Sequence, residues 1–151
     1  MVKENKGFIT NKKATFNYFI LERYEAGVAL KGSEIKSIRA GRANFTDAYV
    51  RVQNGEAYLV SMHISPYAAA ADQLYDPKRS RKLLLHKREI VKLTGQMGQK
   101  GYTVVPLKLY FKKGKAKIEI GIAKGKRKYD KRESIKKKEH QREIERGMRR
   151  R

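Results

Sequence analysis

The sequence predicts a mainly β fold, a closed antiparallel six-stranded barrel with two to three short helices and a disordered basic C-terminal tail. Three observations predict it. Asn54-Gly55 and Lys113-Gly114 each lie between alternating apolar runs, the signature of a tight hairpin turn. Thr15 to Leu30 is rich in aromatic and branched residues, which suit a pleated, half-buried surface. The last twenty-eight residues, Lys124 to Arg151, hold fourteen Lys and Arg against five acids and have only Tyr129, Ile135, Ile144 and Met148 as sizeable apolar groups. They cannot bury enough surface to offset an ordering cost of roughly 1–2 kcal/mol per residue.

The organisation follows as a body over residues 1 to 123 and a tail over 124 to 151. The body is long enough for one modest core. Of the formal charge of +22, the tail carries +9 and the body +13. That surplus points to a polyanion, because Lys and Arg release condensed counterions from phosphates. No apolar run reaches bilayer length and the N-terminus lacks a signal-peptide core, so the expected location is cytoplasmic with no membrane partner. The chain has no cysteine, which removes disulfides, thiolate nucleophiles and cysteine metal sites.

Taken in order, Thr15 to Leu30 reads as two strand segments bent near Glu25-Ala26-Gly27. Gly32 to Gly41 reads as a short helix, N-capped by Ser33 and ended by Gly41. Around Asn54-Gly55 the register opposes Gln53 to Glu56, Val52 to Ala57 and Val50 to Leu59, with the last two pairs facing the core. Ser65 to Lys82 reads as a long surface loop ending in the basic cluster Lys78, Arg79, Arg81 and Lys82. Leu83, Ile90, Leu93 and Met97 recur at helical spacing and predict a second helix. The second hairpin pairs Phe111 with Ala116, Leu109 with Ile118, Leu107 with Ile120 and Val105 with Ile122, and Pro106 marks an edge or bulge. Closing these strands into an oligonucleotide-binding type of barrel removes exposed edges.

Catalysis finds little support. His63, His86 and His140 have no metal-site or nucleophile–base spacing, and Glu25, Glu34 and Asp47 are carboxylates with a prospect of meeting, with facing water as the usual alternative. No enzyme activity and no cofactor are expected. Tyr18, Tyr24, Tyr110 and Tyr129 alternate with cations and are candidates to stack on RNA bases, with the core as the alternative for Tyr18 and Tyr110. Wound as a helix, the tail places Lys131, Ile135, Lys138, Arg142, Glu145 and Arg149 on one side, and helix-forming residues fill it. It reads either as a non-specific basic extension or as a segment that folds on a polyanion.

The ordered motifs NKKA, EAGVALKGSEIKSIRAGRAN, RSRKLLLHKREI, GYTVVPLKLYF, KIEIGIAKGK and YDKR resemble the SmpB family, SsrA-binding proteins that partner transfer-messenger RNA in bacterial ribosome rescue. The resemblance runs from Asn11 to Arg132. It implies an oligonucleotide-binding-like barrel that holds the tRNA-like domain of that RNA by shape and backbone, acting as a monomer in the complex. RNA binding is thereby assigned to Asn11, Lys12, Lys13, Glu25, Leu84 and Lys117. Gly125, Tyr129, Asp130, Lys131 and Arg132 are assigned to a tail signal read at the ribosomal decoding centre and mRNA channel. Glu25 has a plain alternative, ordering nearby Lys and Arg without touching RNA.

Overall fold

The computed structural model describes residues 7–67, 74–126 and 128–149. Along the chain run β1 (Gly7–Thr10), α1 (Lys12–Asn17), β2 (Tyr18–Val28), α2 (Gly32–Arg39), β3 (Ala43–Asn44), β4 (Tyr49–Gln53), β5 (Glu56–Val60), β6 (His63–Ile64), β7 (Arg81–Leu84), α3 (Lys87–Met97), β8 (Tyr102–Lys112), β9 (Lys115–Gly125) and α4 (Lys128–Arg149). The fold is mainly β. Among the described residues seven strands form one antiparallel sheet in the order β1-β8-β9-β2-β7-β5-β4, and β3 pairs with β6 in a two-stranded sheet.

The expected closed six-stranded barrel is corrected by this order, since among the described residues β1 and β4 end the sheet without pairing to each other. β4 nevertheless packs against β8, so the sheet curls back over its own core. Among the described residues the short helices are α1, α2 and α3, within the expected two to three, and the tail adds a fourth. α1 had no signal in the sequence, since its six residues are too few to show a helical period.

Turn chemistry and alternation fix both hairpins. Asn54 and Gly55 both adopt positive φ, at 52° and 73°, as a type I′ turn requires. The register is the expected one, from Gln53 opposite Glu56 to Tyr49 opposite Val60, and Val50, Ala57 and Leu59 are fully buried. In the second hairpin Phe111 meets Ala116 and Leu109 meets Ile118 as expected. Beyond them a bulge at Leu107 corrects the register: Pro106 pairs with Ile120, and Val104, in place of Val105, pairs with Ile122. One extra residue turns Val105 and Leu107 away from the main core into a second cluster with Ala14 and Ala123, under α1. At Gly121 a Cβ would stand 2.9 Å from Ile20 Cγ2 and 3.0 Å from Leu107 Cδ1, so this close crossing needs a glycine.

The segment 74–84 departs most from expectation. Arg81 does not join a solvated basic cluster; it is fully buried, on the same face of β7 as Leu83. Leu83 accordingly belongs to a strand and not to the stripe of α3. Arg81 Nε donates to Glu34 Oε2 at 2.8 Å, Nη1 to the Met62 carbonyl at 2.7 Å and Nη2 to the Pro77 carbonyl at 3.1 Å. The Tyr75 hydroxyl accepts from Arg81 Nη2 at 3.2 Å and donates to the Ile64 carbonyl at 2.8 Å. Arg79 closes the other side of Glu34 through its Nη2 and Nε. Glu34 also receives the Lys31 backbone N–H at 2.8 Å, so the start of α2 is tied by this carboxylate, and Lys31 takes the N-cap position expected of Ser33. Burial opposes its charge, but the Arg79, Lys31 and Arg81 bonds outweigh it and hold the Glu34 carboxyl below its ordinary pKa.

The tail also differs from the disordered chain expected. Residues 128–149 form one helix, and every described side chain from Ile135 to Gly147 is exposed. It rests on helix-forming composition and on local pairs such as Gln141 Nε2 to Glu145 Oε1, at 3.4 Å.

Candidate nucleic-acid interface

The outer face of the curled sheet gathers three of the expected RNA-binding residues. Leu84 on β7, Gly27 on β2, Lys117 on β9 and Tyr110 on β8 form one row across neighbouring strands. Gly27 leaves a gap in the middle of that row, and Leu84 leans over it: a Cβ at position 27 would lie 3.2 Å from Leu84 Cβ. Leu84 is nonetheless 58% exposed, so it presents apolar surface and is not a core residue. It borders a groove of about 390 Å³ with Gly27, Leu30, Ile35 and Lys117. No ion pair engages Lys117 among the described residues.

In the next row Glu25 stands opposite Glu119. Two carboxylates on adjacent strands repel, and bases from both sides offset this. Arg23 and Lys108 reach Glu119 at 2.7 and 3.7 Å, while Lys112 reaches Glu25 at 3.8 Å. Glu25 also accepts from the Tyr110 hydroxyl. Burial and then that bond push the Tyr110 pKa well above the ordinary phenol value, so Tyr110 remains a donor and holds the carboxylate in place. Tyr110 is 6% exposed, so its ring is covered within the outer face and is not open to base stacking. Tyr18 packs against the second cluster.

Asn11, Lys12 and Lys13 sit together at the start of α1, beside the β8 bulge. Asn11 is anchored there: its Nδ2 donates to the Pro106 carbonyl and its backbone N–H to the Leu107 carbonyl, both at 2.8 Å. Lys12 and Lys13 are exposed, with no ion pair among the described residues. Between α1 and the 45–49 turn lies a cavity of about 370 Å³, lined in part by Asn11, Lys13, Tyr18, Tyr49 and Thr103.

Of the tail residues, Gly125 ends β9 opposite Tyr18, and nothing lies within 4 Å of where its Cβ would stand. Lys131 is half-buried and Arg132 exposed on α4. Tyr129 and Asp130 belong to the first turn of α4, and their side chains lie outside the described residues. The three carboxylates with a prospect of meeting do not share partners: Glu34 is sealed in its arginine pocket, Glu25 faces outward with Tyr110, and Asp47 lines the cavity beside α1. Sequence reasoning named Tyr110 as a stacking candidate but not as the partner of Glu25, and it did not place Gly27 in the outer row. Their strand register against Lys117 was the available signal, and Tyr110 opposite Lys117 was already fixed by the Lys113-Gly114 turn.

A protein-family model described as SmpB protein matches residues 8–150. The chain is 59% identical over 148 residues to the SsrA-binding protein of Geobacillus thermodenitrificans, covering 98% of this chain and 96% of that one. It is 58% identical over 139 residues to the SsrA-binding protein of Carboxydothermus hydrogenoformans, covering 92% and 93%. Among solved structures it resembles a chain of one named "tmRNA-SmpB: a journey to the center of the bacterial ribosome", with a TM-score of 0.68, 48% identity, and coverage of 84% of this chain and 93% of that one. Over nearly its whole length, then, the chain that carries Glu25, Leu84 and Lys117 on one sheet face belongs to the SmpB protein family.

Proposed function

We propose that the chain binds the tRNA-like domain of transfer-messenger RNA and delivers it to stalled ribosomes for trans-translation in the bacterial cytoplasm. The tail probes the empty mRNA channel and the decoding centre. One observation carries the RNA half: Glu25, Leu84 and Lys117, scattered over ninety-three positions of sequence, meet on one outer patch of the sheet with an apolar side chain, a cation that has no ion pair among the described residues and an oriented carboxylate. Such a patch suits a folded RNA surface, where 2′-hydroxyls and phosphates are read by shape. The protein acts by binding and not by catalysis, with the curled sheet as an oligonucleotide-binding-like platform.

Relatives named SsrA-binding proteins and a structural neighbour solved with tmRNA support this reading. The tail reading rests on charge and length: α4, of 22 residues, spans about 33 Å at 1.5 Å per residue, long enough to follow a channel. Downstream message would compete for that channel, which confines rescue to ribosomes without one. A chain ending after Gly125 tests the division of labour. It is expected to bind the tRNA-like RNA nearly as well as the full chain at physiological salt, to prefer it over bulk RNA in competition, and to fail in tagging. Loss of RNA binding on truncation would defeat the division, and loss of preference would make the protein a general RNA binder.

A further inference from the structure

The root of the tail is fastened to α1 through Lys126. α1 is six residues long and has no basic residue in its last turn, so its C-terminal carbonyls need partners from elsewhere. Tyr18 N–H serves the Ala14 carbonyl. Lys126, the first residue after β9, serves two more: its backbone N–H donates to the Asn17 carbonyl at 2.9 Å, and its Nζ donates to the Thr15 carbonyl at 2.9 Å. A cation at a helix C-terminus also complements the helix dipole. The same ammonium lies 5.0 Å from the centroid of the Phe19 ring, which is 45% exposed on β2. At its other end α1 is pinned to β8 by Asn11.

We propose that Lys126 is the positioning residue of the tail: by capping α1 and lying over Phe19, it sets the direction in which α4 leaves the sheet. It thereby links that direction to the segment bearing Lys12 and Lys13. β9 ends at Gly125 and α4 begins at Lys128, so Lys126 belongs to neither element and ties the end of β9 to α1. The inference rests on the proposed role of the tail for its consequence, but its geometry is testable in the protein alone.

The chain contains no cysteine, so paired spin labels at Gln53→Cys and Gln141→Cys, both exposed, report one distance between sheet and tail in the full-length protein. Lys126→Met keeps the methylenes and removes the ammonium. It is expected roughly to double the width of the distance distribution, while Lys126→Arg restores it in large part. Phe19→Leu, which keeps an apolar group and removes the ring, is expected to widen it less. Both sites lie outside the two buried clusters, so the melting temperature is expected to fall only slightly. An unchanged width in Lys126→Met and Phe19→Leu overturns the proposal whatever the tail does on the ribosome. A wider distribution with tagging at parent level leaves the seat in place and overturns its link to function, where a drop of about tenfold is expected from a misdirected tail.

Discussion

Glu34 and Glu25 put the same side chain to opposite uses. Glu34 is 1% exposed and enclosed by Arg79, Arg81 and a backbone N–H, with every donor supplied by the protein. Glu25 lies on the outer sheet face with its side chain 42% exposed, held by Tyr110 and, at longer range, by Lys112. On a chain of net charge +22, charge alone cannot tell the arginine that belongs to the fold from the lysine that meets a partner. Burial and saturation of donors do. Arg81 spends its donors on Glu34, Met62, Pro77 and Tyr75, whereas Lys117, Lys12 and Lys13 have no ion pair among the described residues.

Breaking the buried member gives the largest expected effect. Glu34→Ala leaves the Arg81 guanidinium buried without its counter-charge, a situation that costs about 3–5 kcal/mol. That is a large share of the stability of a domain this size, about 5–15 kcal/mol. Denaturant unfolding should show it, with loss of RNA binding following from loss of fold. The pH dependence has a definite sign. The Glu34 carboxyl is held below its ordinary value of 4.5, so its contribution is present above that pH and is lost as pH falls through the lower folded-state value. Acid unfolding of the parent should therefore begin below about pH 4.5, and a Glu34→Gln variant should show a shallower acid limb there.

Second in size is a loss of function without loss of fold. Replacing Asp130, Lys131 and Arg132 together by Ala changes the tail charge only from +9 to +8. A tail acting as bulk charge would hardly notice. The expected variant folds, binds the RNA and reaches the ribosome, yet falls at least about tenfold in tagging, because contacts at the junction orient all that follows. A charge-matched scramble of Ser134 to Arg151 that preserves helix propensity is expected to be tolerated better. Equal tagging by the triple-Ala variant and the parent would reduce the tail to a polycation.

What the sequence made legible was set by how local the physics is. Both hairpins were readable because Asn54-Gly55 and Lys113-Gly114 specify their turns and because one apolar face fixes register. The bulge at Leu107 was only half readable: Pro106 flagged it, but whether the extra residue fell there depended on α1 and the Ala14 cluster. α1 itself is held by Asn11 and Lys126, ninety-five and one hundred and eleven positions from the groups that those side chains bind, so no local pattern announced it. The buried Arg81 was readable in principle, since Arg81 and Leu83 alternate with Lys82 and Leu84 on β7. Among four cations in five residues its inward place was hidden by composition. The outer patch was legible only as separate motifs, because the register of four strands brings Leu84, Gly27, Lys117 and Tyr110 into one row.

The presented charges give smaller effects and sharpen the contrast. Lys117 alternates away from the buried row Ile118, Ile120 and Ile122. Lys117→Ala is expected to leave the melt unchanged within about 0.5 kcal/mol and to flatten the salt dependence of RNA affinity by about one phosphate contact. Leu84→Ala is expected to weaken RNA binding with only a small drop in melting temperature, given its 58% exposure. A melt that fell in step with affinity would assign Leu84 to the packing over Gly27 instead.

Glu25→Gln is the smallest and most discriminating change. The amide oxygen still accepts from the Tyr110 hydroxyl, and the pairing with Lys112, partly exposed and 3.8 Å away, is worth at most about 1 kcal/mol, so the fold should survive. The substitution removes a negative charge from a face that already carries Lys108, Lys112, Lys115 and Lys117. If Glu25 only ordered its basic neighbours, long-range attraction would rise and RNA affinity at low salt would increase. If its carboxylate accepts from a 2′-hydroxyl or a base edge, a charge-assisted bond is lost and affinity falls despite the added positive charge. The Tyr110 hydroxyl holds the carboxylate on the outer face of the sheet, where the side chain is 42% exposed, and the second outcome is the expected one. The opposite signs make affinity at two salt concentrations sufficient: a loss that persists at high salt assigns Glu25 to recognition, and a gain confined to low salt returns it to the ordering of lysines.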